Sequence, residues 1–188
     1  LMIKHLVIPD TQVKPDNPIA HLEWAGQYAV DKKPDVIIHL GDHWDMPSLS
    51  SYDVGKKSFE GRRYTKDIEA GLEGMKAFLK PIKKEQKRLK KGKRKLWTPR
   101  LVFCLGNHEF RIERAVEADA KLEGLLSYED FNLKEMGWEV YPFLYPVIVD
   151  GVVYSHYFTS GVMGRPVSNA RLLLQKKMMS CVQGHVQD

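Results

Sequence analysis

The chain has 188 residues, 43% of them hydrophobic and 28% charged, which is ordinary for a globular protein and enough for one domain with a sizeable core. No apolar run approaches the roughly 18 residues needed to span a membrane, and the N-terminus lacks the basic-then-apolar layout of a secretory leader. Cys104 and Cys181, both in apolar surroundings, do not make a disulfide framework, so the expected compartment is a reducing cytoplasm.

The net charge of +5 is unevenly spread. Lys76 to Arg100 holds twelve Lys or Arg and one acid, Glu85, a local +11 that leaves the rest of the chain at −6. An acidic body with a basic arm suits a polyanionic partner such as nucleic acid, although a solvated helix end would carry lysines equally well.

The elements follow in chain order. Leu6-Val7-Ile8 is a short apolar run of the kind buried in a sheet, ended by Pro9 and followed by Asp10, Thr11 and Gln12. Asn17-Pro18 reads as a helix start, an N-cap with Pro at the first helical position, and Lys32-Lys33-Pro34 as its end. Val36 to Leu40 reads as a strand buried on both faces. Helical periodicity runs from Asp67 to about Leu89, with Pro81 expected to kink or divide it and a basic loop from Lys90 to Pro99. Leu101 to Leu105 is a third buried strand, and Arg111 to Glu123 a further helix. Phe143–Val149 and Val152–Tyr157 flank a hairpin-like Asp150-Gly151, a helix is expected over Val167–Met179, and a last short strand leads into Val182. This alternation predicts a layered α/β domain.

Polar residues gather where the strands end. The exits read Asp10-Thr11-Gln12, Gly41-Asp42-His43-Trp44-Asp45, Gly106-Asn107-His108-Glu109, Ser155-His156 and Gly184-His185-Val186-Gln187. Ligands in α/β sheets bind at the carboxyl ends of strands. Any one of these stretches could be a turn. Five in sequence are hard to explain that way.

In their order and spacing these residues resemble the calcineurin-like metallophosphoesterases, and the DTQVKP, GDHWDMPSLSSYD and SHYF stretches resemble a branch often encoded by bacteriophages. The resemblance runs from residue 10 to 187. It implies an α/β fold with a two-sheet β-sandwich flanked by helices in αββα layers, over a single domain spanning 1–188 with the basic arm 76–100 inside it. It also implies a host-cytoplasm location if the chain is phage-encoded. Family members continue past the fifth motif, so the domain is expected to be truncated at its C-terminal end.

The implied activity is hydrolysis of phosphate esters at a pair of divalent ions, which neutralise the anionic ester and activate water near neutral pH. By the resemblance Asp42 bridges the two ions, Asp10 holds the first, and Asn107, His156 and His185 hold the second. His108 contacts the phosphate and protonates the leaving oxygen, oriented by Asp45, while Glu109 supports the loop.

Two histidines of the family pattern are replaced, both at the first ion, by Gln12 and Gln187. An amide oxygen is a harder and weaker donor than imidazole, so Mn²⁺ is the expected ion, with Mg²⁺, Ni²⁺, Fe²⁺ or Zn²⁺ as alternatives. Met46 stands where protein phosphatases of the superfamily carry a phosphate-gripping Arg. The candidate substrate contacts are therefore His43, Arg62, Arg63, Arg111 and Arg165. The basic arm favours a phosphodiesterase or nuclease acting on nucleic acid or nucleotides. A broad phosphomonoesterase and a metal-stabilised nucleic-acid-binding domain are the alternatives.

Overall fold

The structure is a computed structural model that describes residues 3–186. Strands β1 (His5–Ile8), β2 (Val36–His39), β3 (Arg100–Cys104) and β4 (Glu139–Tyr141) form a parallel sheet in that order. A second sheet has the order β5 (Val147–Val149), β6 (Val152–Ser155), β9 (Cys181–Gln183). Between the last two lies a two-stranded ribbon, β7 (Thr159–Ser160) with β8 (Arg165–Pro166). The hairpin joining β5 to β6 turns at Asp150 and Gly151, both with positive φ, as a two-residue turn of matching twist requires.

Side-chain alternation sorts the layers. Ile37 and Phe103 point to a core shared with helices α1 (Ala20–Lys32), α2 (Tyr64–Lys91) and α3 (Arg111–Ala118). Their neighbours Val36, Ile38, Val102 and Cys104 point the other way, onto Val147, Val149 and Tyr154 of the second sheet. The outer face of that sheet is covered through Val153, Phe158, Val167 and Leu173, the last on α4 (Ala170–Lys177). Reading outward, the layers are helices, sheet, sheet, helix. This is the αββα sandwich that the sequence implied.

Four local expectations are corrected. The first helix starts at Ala20, with Ile19 rather than Asn17 in the cap position. Pro81 does not divide α2, which runs unbroken for 28 residues. The strip around Pro81 lies against α1, where Gly26 has no side chain to keep it away: a Cβ there would collide with the Phe78 carbonyl oxygen and the Pro81 ring. The third helix ends at Ala118 because Asp119 adopts extended backbone and caps a separate 3₁₀ turn through the Lys121 N–H. The last helix begins at Ala170, capped by the Asn169 side chain on the Leu172 N–H, and the buried Val167 precedes it. Strand β4 and the β7–β8 ribbon were not foreseen, being only two or three residues long. Cys104 and Cys181 are free thiols, the first buried and the second half-buried in β9. No helix among the described residues is long and apolar enough to cross a membrane.

Candidate metal centre

The loops after β1, β2, β3, β6 and β9 meet at one end of the sandwich. The backbone there is bent into conformations that side chains avoid: Asp10, Gln12, Asp42, Met46 and His185 all have positive φ. Such strain costs on the order of 1–3 kcal/mol per residue and collects where a site needs it. The loops are stitched by backbone bonds, Gln12 N–H to the Asp42 carbonyl at 2.9 Å and Val13 N–H to the His43 carbonyl.

Glu109 is the hub of this end. Fully buried, it accepts four backbone N–H groups, those of Asp42 and Gly106 on one oxygen and those of His43 and Trp44 on the other, at 2.7–3.0 Å. Burial and the neighbouring Asp42 push its pKa up to about 7, while the four donors favour the ionised form. Gly106 must be glycine here, since a Cβ would strike the Asp42 carboxylate.

Around this hub Asp42, His156 and His185 offer ligand atoms that all lie within 4.8 Å of one another. His156 is buried, and its Nδ1–H donates to the Leu40 carbonyl at 2.7 Å. Its Nε2 therefore points at two acceptors, Asn107 Oδ1 at 2.8 Å and Asp42 Oδ2 at 3.3 Å. Burial alone would lower the His156 pKa, but the Asp42 carboxylate outweighs it and the net shift is upward. Three acceptors facing a common point call for a cation. Asp10 adds a third oxygen group: its Oδ2 accepts the His185 N–H at 2.9 Å, and its buried Oδ1 has no partner among the described residues. A buried, orphaned carboxylate oxygen is costly unless something charged meets it. The donor set thus fits divalent ions, with Asp10, Asp42, Asn107, His156 and His185 brought together.

His108 sits beside them on the β3 exit. Its Nδ1 lies 2.9 Å from Asp45 Oδ1, and its backbone N–H donates to Asp42 Oδ1 at 2.9 Å. Burial lowers its pKa, but Asp45 and Asp42 outweigh this and hold it above the usual value. Arg111, from the first turn of α3, donates to the Asp45 and Met46 carbonyls and places its guanidinium 3.3 Å from His108 Nε2. Met46 itself is fully buried, so Arg111 brings positive charge to the region where the side chain at 46 cannot.

The remaining candidates divide. Gln12 lies half-buried between the Asp10 and Asp42 loops. Gln187 lies outside the described residues. His43 is a correction: it is fully buried rather than open to substrate. Its Nε2 donates to the Gly71 carbonyl at 2.9 Å and its Nδ1 accepts from Thr11 Oγ1 at 2.7 Å; burial drops its pKa to about 4. Arg62 is also corrected, since its guanidinium is held by Asp53, Ser58 and Pro47 in its own loop. Arg63 and Arg165 are exposed and form no hydrogen bond or ion pair with the metal-centre side chains among the described residues.

Thr11, His39 and Lys14 were not singled out. His39 Nδ1 accepts the Gly41 N–H, so its Nε2–H must donate to Thr11 Oγ1 at 3.2 Å, and Thr11 in turn donates to His43. That chain fixes both imidazoles as neutral tautomers and ties the β1 exit to the β2 exit and α2. Lys14 Nζ is 3.7 Å from Asp45 Oδ2. The position of Thr11 between two predicted ligands was the available signal for it. Nothing in an apolar run marks His39.

The calcineurin-like phosphoesterase family profile matches residues 3–178, nearly the whole chain but short of the fifth motif. The Gene 54 protein of Mycobacterium phage L5 is 28% identical over 162 residues, covering 84% of this chain. The chain aligns with 57% of the length of that relative.

Proposed function

From the chain's membership of the calcineurin-like phosphoesterase family, we propose that it is a metal-dependent phosphoesterase whose substrates are phosphodiesters of nucleic acid or nucleotides. The observation that carries the reading is the meeting, at one end of the sandwich, of a cation-seeking donor set and an acid held ready beside it. Divalent ions held by Asp10, Gln12, Asp42, Asn107, His156 and His185 would supply positive charge against the phosphoryl oxygens and activate water near neutral pH. The amide of Gln12 in that set makes Mn²⁺ or Mg²⁺ the favoured occupant over Zn²⁺.

The chain's own residues supply the rest. Asp45 takes the Nδ1–H of His108, which fixes the ring and favours its charged form. With Nδ1–H given to Asp45, Nε2 accepts from Arg111 in the resting ring, and the charged form would carry its second proton there, with Asp42 Oδ2 3.8 Å away. From there it is positioned to reach an ester's leaving oxygen as general acid. The Arg111 guanidinium, 3.3 Å from that nitrogen, is placed to hold a non-bridging phosphate oxygen in the same region. Glu109 keeps the loops in register by gathering their N–H groups.

The test is hydrolysis of bis-p-nitrophenyl phosphate and p-nitrophenyl phosphate with Mn²⁺, Mg²⁺, Ni²⁺, Fe²⁺ or Zn²⁺, beside His108→Ala. The expected result is diester turnover that requires a divalent ion and falls by about 10²–10⁴ in the variant, the usual worth of a positioned acid. Metal affinity by calorimetry should be unchanged in that variant. A preference for the monoester would replace the diesterase by a phosphomonoesterase. No turnover of either ester with any ion would sink the hydrolytic reading.

A further inference from the structure

Most of the basic arm is the second half of α2, as the helical periodicity to Leu89 predicts, with Lys90 and Lys91 added to the helix. Lys76, Lys80, Lys83, Lys84 and Lys87 recur at three- and four-residue intervals, which places them in one stripe about 100° wide. The stripe lies opposite the buried residues Met75, Phe78, Leu79 and Ile82 and spans roughly 17 Å of helix. All five lysines are exposed. Of these five only Lys80 pairs with a carboxylate among the described residues, Glu23 at 3.3 Å, and one further acid, Glu73, lines the groove beside the stripe, so five lysines face two carboxylates. Glu85, the one acid of the arm, is already claimed by Arg88 and Lys33.

The stripe borders a groove whose other wall is α1. A cavity of about 770 Å³ runs between Lys76, Lys80, Lys83, Lys84 and Lys87 on one side and Ile19, Ala20 and Glu23 on the other. From Ala20 the next positions on that row of α1, four and eight residues on, are Trp24 and Tyr28. They are 72% and 52% exposed, unusual for large aromatic side chains. The Lys32 ammonium lies 5.4 Å from the centre of the Tyr28 ring. The sequence placed aromatics and lysines far apart, in separate helices. Because α1 packs along α2, through Gly26 against Phe78 and Pro81, the exposed side of one helix lies beside the exposed side of the other.

We infer that the outer face of the α1–α2 pair is a docking surface for single-stranded nucleic acid, held through its phosphates by the lysine stripe and through its bases by Trp24 and Tyr28. A row of cations beside exposed aromatic rings is the arrangement that binds a strand without reading its sequence. The surface is not part of the metal centre. Gly71, whose carbonyl meets His43, is the point where α2 touches the site loops. From there the stripe runs about 8 to 24 Å along the helix axis toward its far end. A strand bound there is tethered rather than cut, which raises the local concentration of its phosphodiesters at the site. This deepens the nucleic-acid reading above, but its test is separate, because binding is read on oligonucleotides and chemistry on a small ester.

The experiment is fluorescence anisotropy with a labelled twenty-nucleotide oligo-dT and a twenty-base-pair duplex, in EDTA so that nothing is cut. It compares the wild type, a Lys76→Ala/Lys80→Ala/Lys83→Ala/Lys87→Ala variant and a Trp24→Ala/Tyr28→Ala variant. All substitutions are at exposed positions, and circular dichroism and the turnover of bis-p-nitrophenyl phosphate check the fold and the metal centre. The lysine variant should bind oligo-dT at least tenfold more weakly, with a slope of log Kd against log salt smaller by about 3, at about 0.7 per lost phosphate contact. The aromatic variant should lose at least 5-fold on oligo-dT, one stacking ring alone being worth roughly 5- to 150-fold, with no change in that slope and little change on duplex. The inference is overturned if the wild type does not bind oligo-dT, if either variant binds it as well as the wild type, or if duplex binding is as tight and as sensitive to Trp24 and Tyr28.

Discussion

The parallel sheet has two ends, and they treat charge in opposite ways. At the carboxyl end Asp42, Glu109 and His156 are buried, several residues sit in left-handed backbone, and charged groups meet with fewer partners than they need. At the amino end the charges are more numerous but relaxed: Arg100 forks onto Glu139 at 2.7–2.8 Å in the open, Glu85 is matched by Arg88 and Lys33, and Lys4 donates to the Lys32 carbonyl. The same residue types thus do different work. Buried and underpaired, they store free energy that a ligand can release. Paired, and in the case of Arg100 and Glu139 exposed, they contribute little to stability but set the field around the molecule.

If that contrast is right, substitutions at the carboxyl end should cost far more than equivalent ones at the other. The largest loss is expected for Glu109→Gln, which puts an amide NH₂ where two backbone N–H groups now donate. About 2–6 kcal/mol should be lost from the urea-unfolding free energy, since each of the two orphaned buried donors costs about 1–3 kcal/mol. A cost below 1 kcal/mol would mean that Glu109 is not the hub of the loops. Thr11→Val comes next: it keeps the shape but strands the His39 Nε2–H and the His43 Nδ1, for about 2 kcal/mol. Chemical denaturation measures it, and proton chemical shifts of the two imidazoles should show the tautomers no longer fixed.

The effects at the amino end should be smaller. The Glu85 pKa is depressed to about 2 from its ordinary 4.5 by Arg88 and Lys33. A carboxylate depressed in the folded state stabilises above the unfolded value, and that contribution fades as pH falls through the folded one. The difference in melting temperature between wild type and Glu85→Gln should therefore be constant above about pH 5 and shrink between pH 4.5 and 2. A difference that grew on acidification would contradict the pairing. Smallest of all, Arg100→Ala should change stability by less than about 1 kcal/mol despite its two-pronged contact, because both partners face solvent. A loss above 2 kcal/mol there would erase the contrast between the ends.

The sequence carried the carboxyl end well and the amino end poorly. Asp10, Asp42, Asn107, His108, His156 and His185 announce themselves because polar residues at the tips of apolar strands have no structural reason to be there. His43 misled for the same reason: it follows Asp42, but a strand exit alternates its side chains, and this one turns inward to Gly71. Arg62 misled because its role lies with Asp53, whose loop has no periodic pattern to read. At the amino end the lysines were visible as a sum of charge. Their stripe follows from their spacing along one helix, but that it borders a groove with α1 depends on how α1 packs on α2. That packing rests on Gly26 and Pro81, residues that in isolation read as a weak point and a break.

The two free thiols give the molecule a chemical asymmetry. Burial pushes the Cys104 thiol up to about 12, and its side chain is closed off between the two sheets. It should resist alkylation and peroxide for as long as the sandwich holds. Cys181 is half-buried in β9, three residues before Gly184. A thiol-directed fluorophore would therefore enter at Cys181 first and report from beside a ligand loop, while the later, slower modification of Cys104 would count openings of the core.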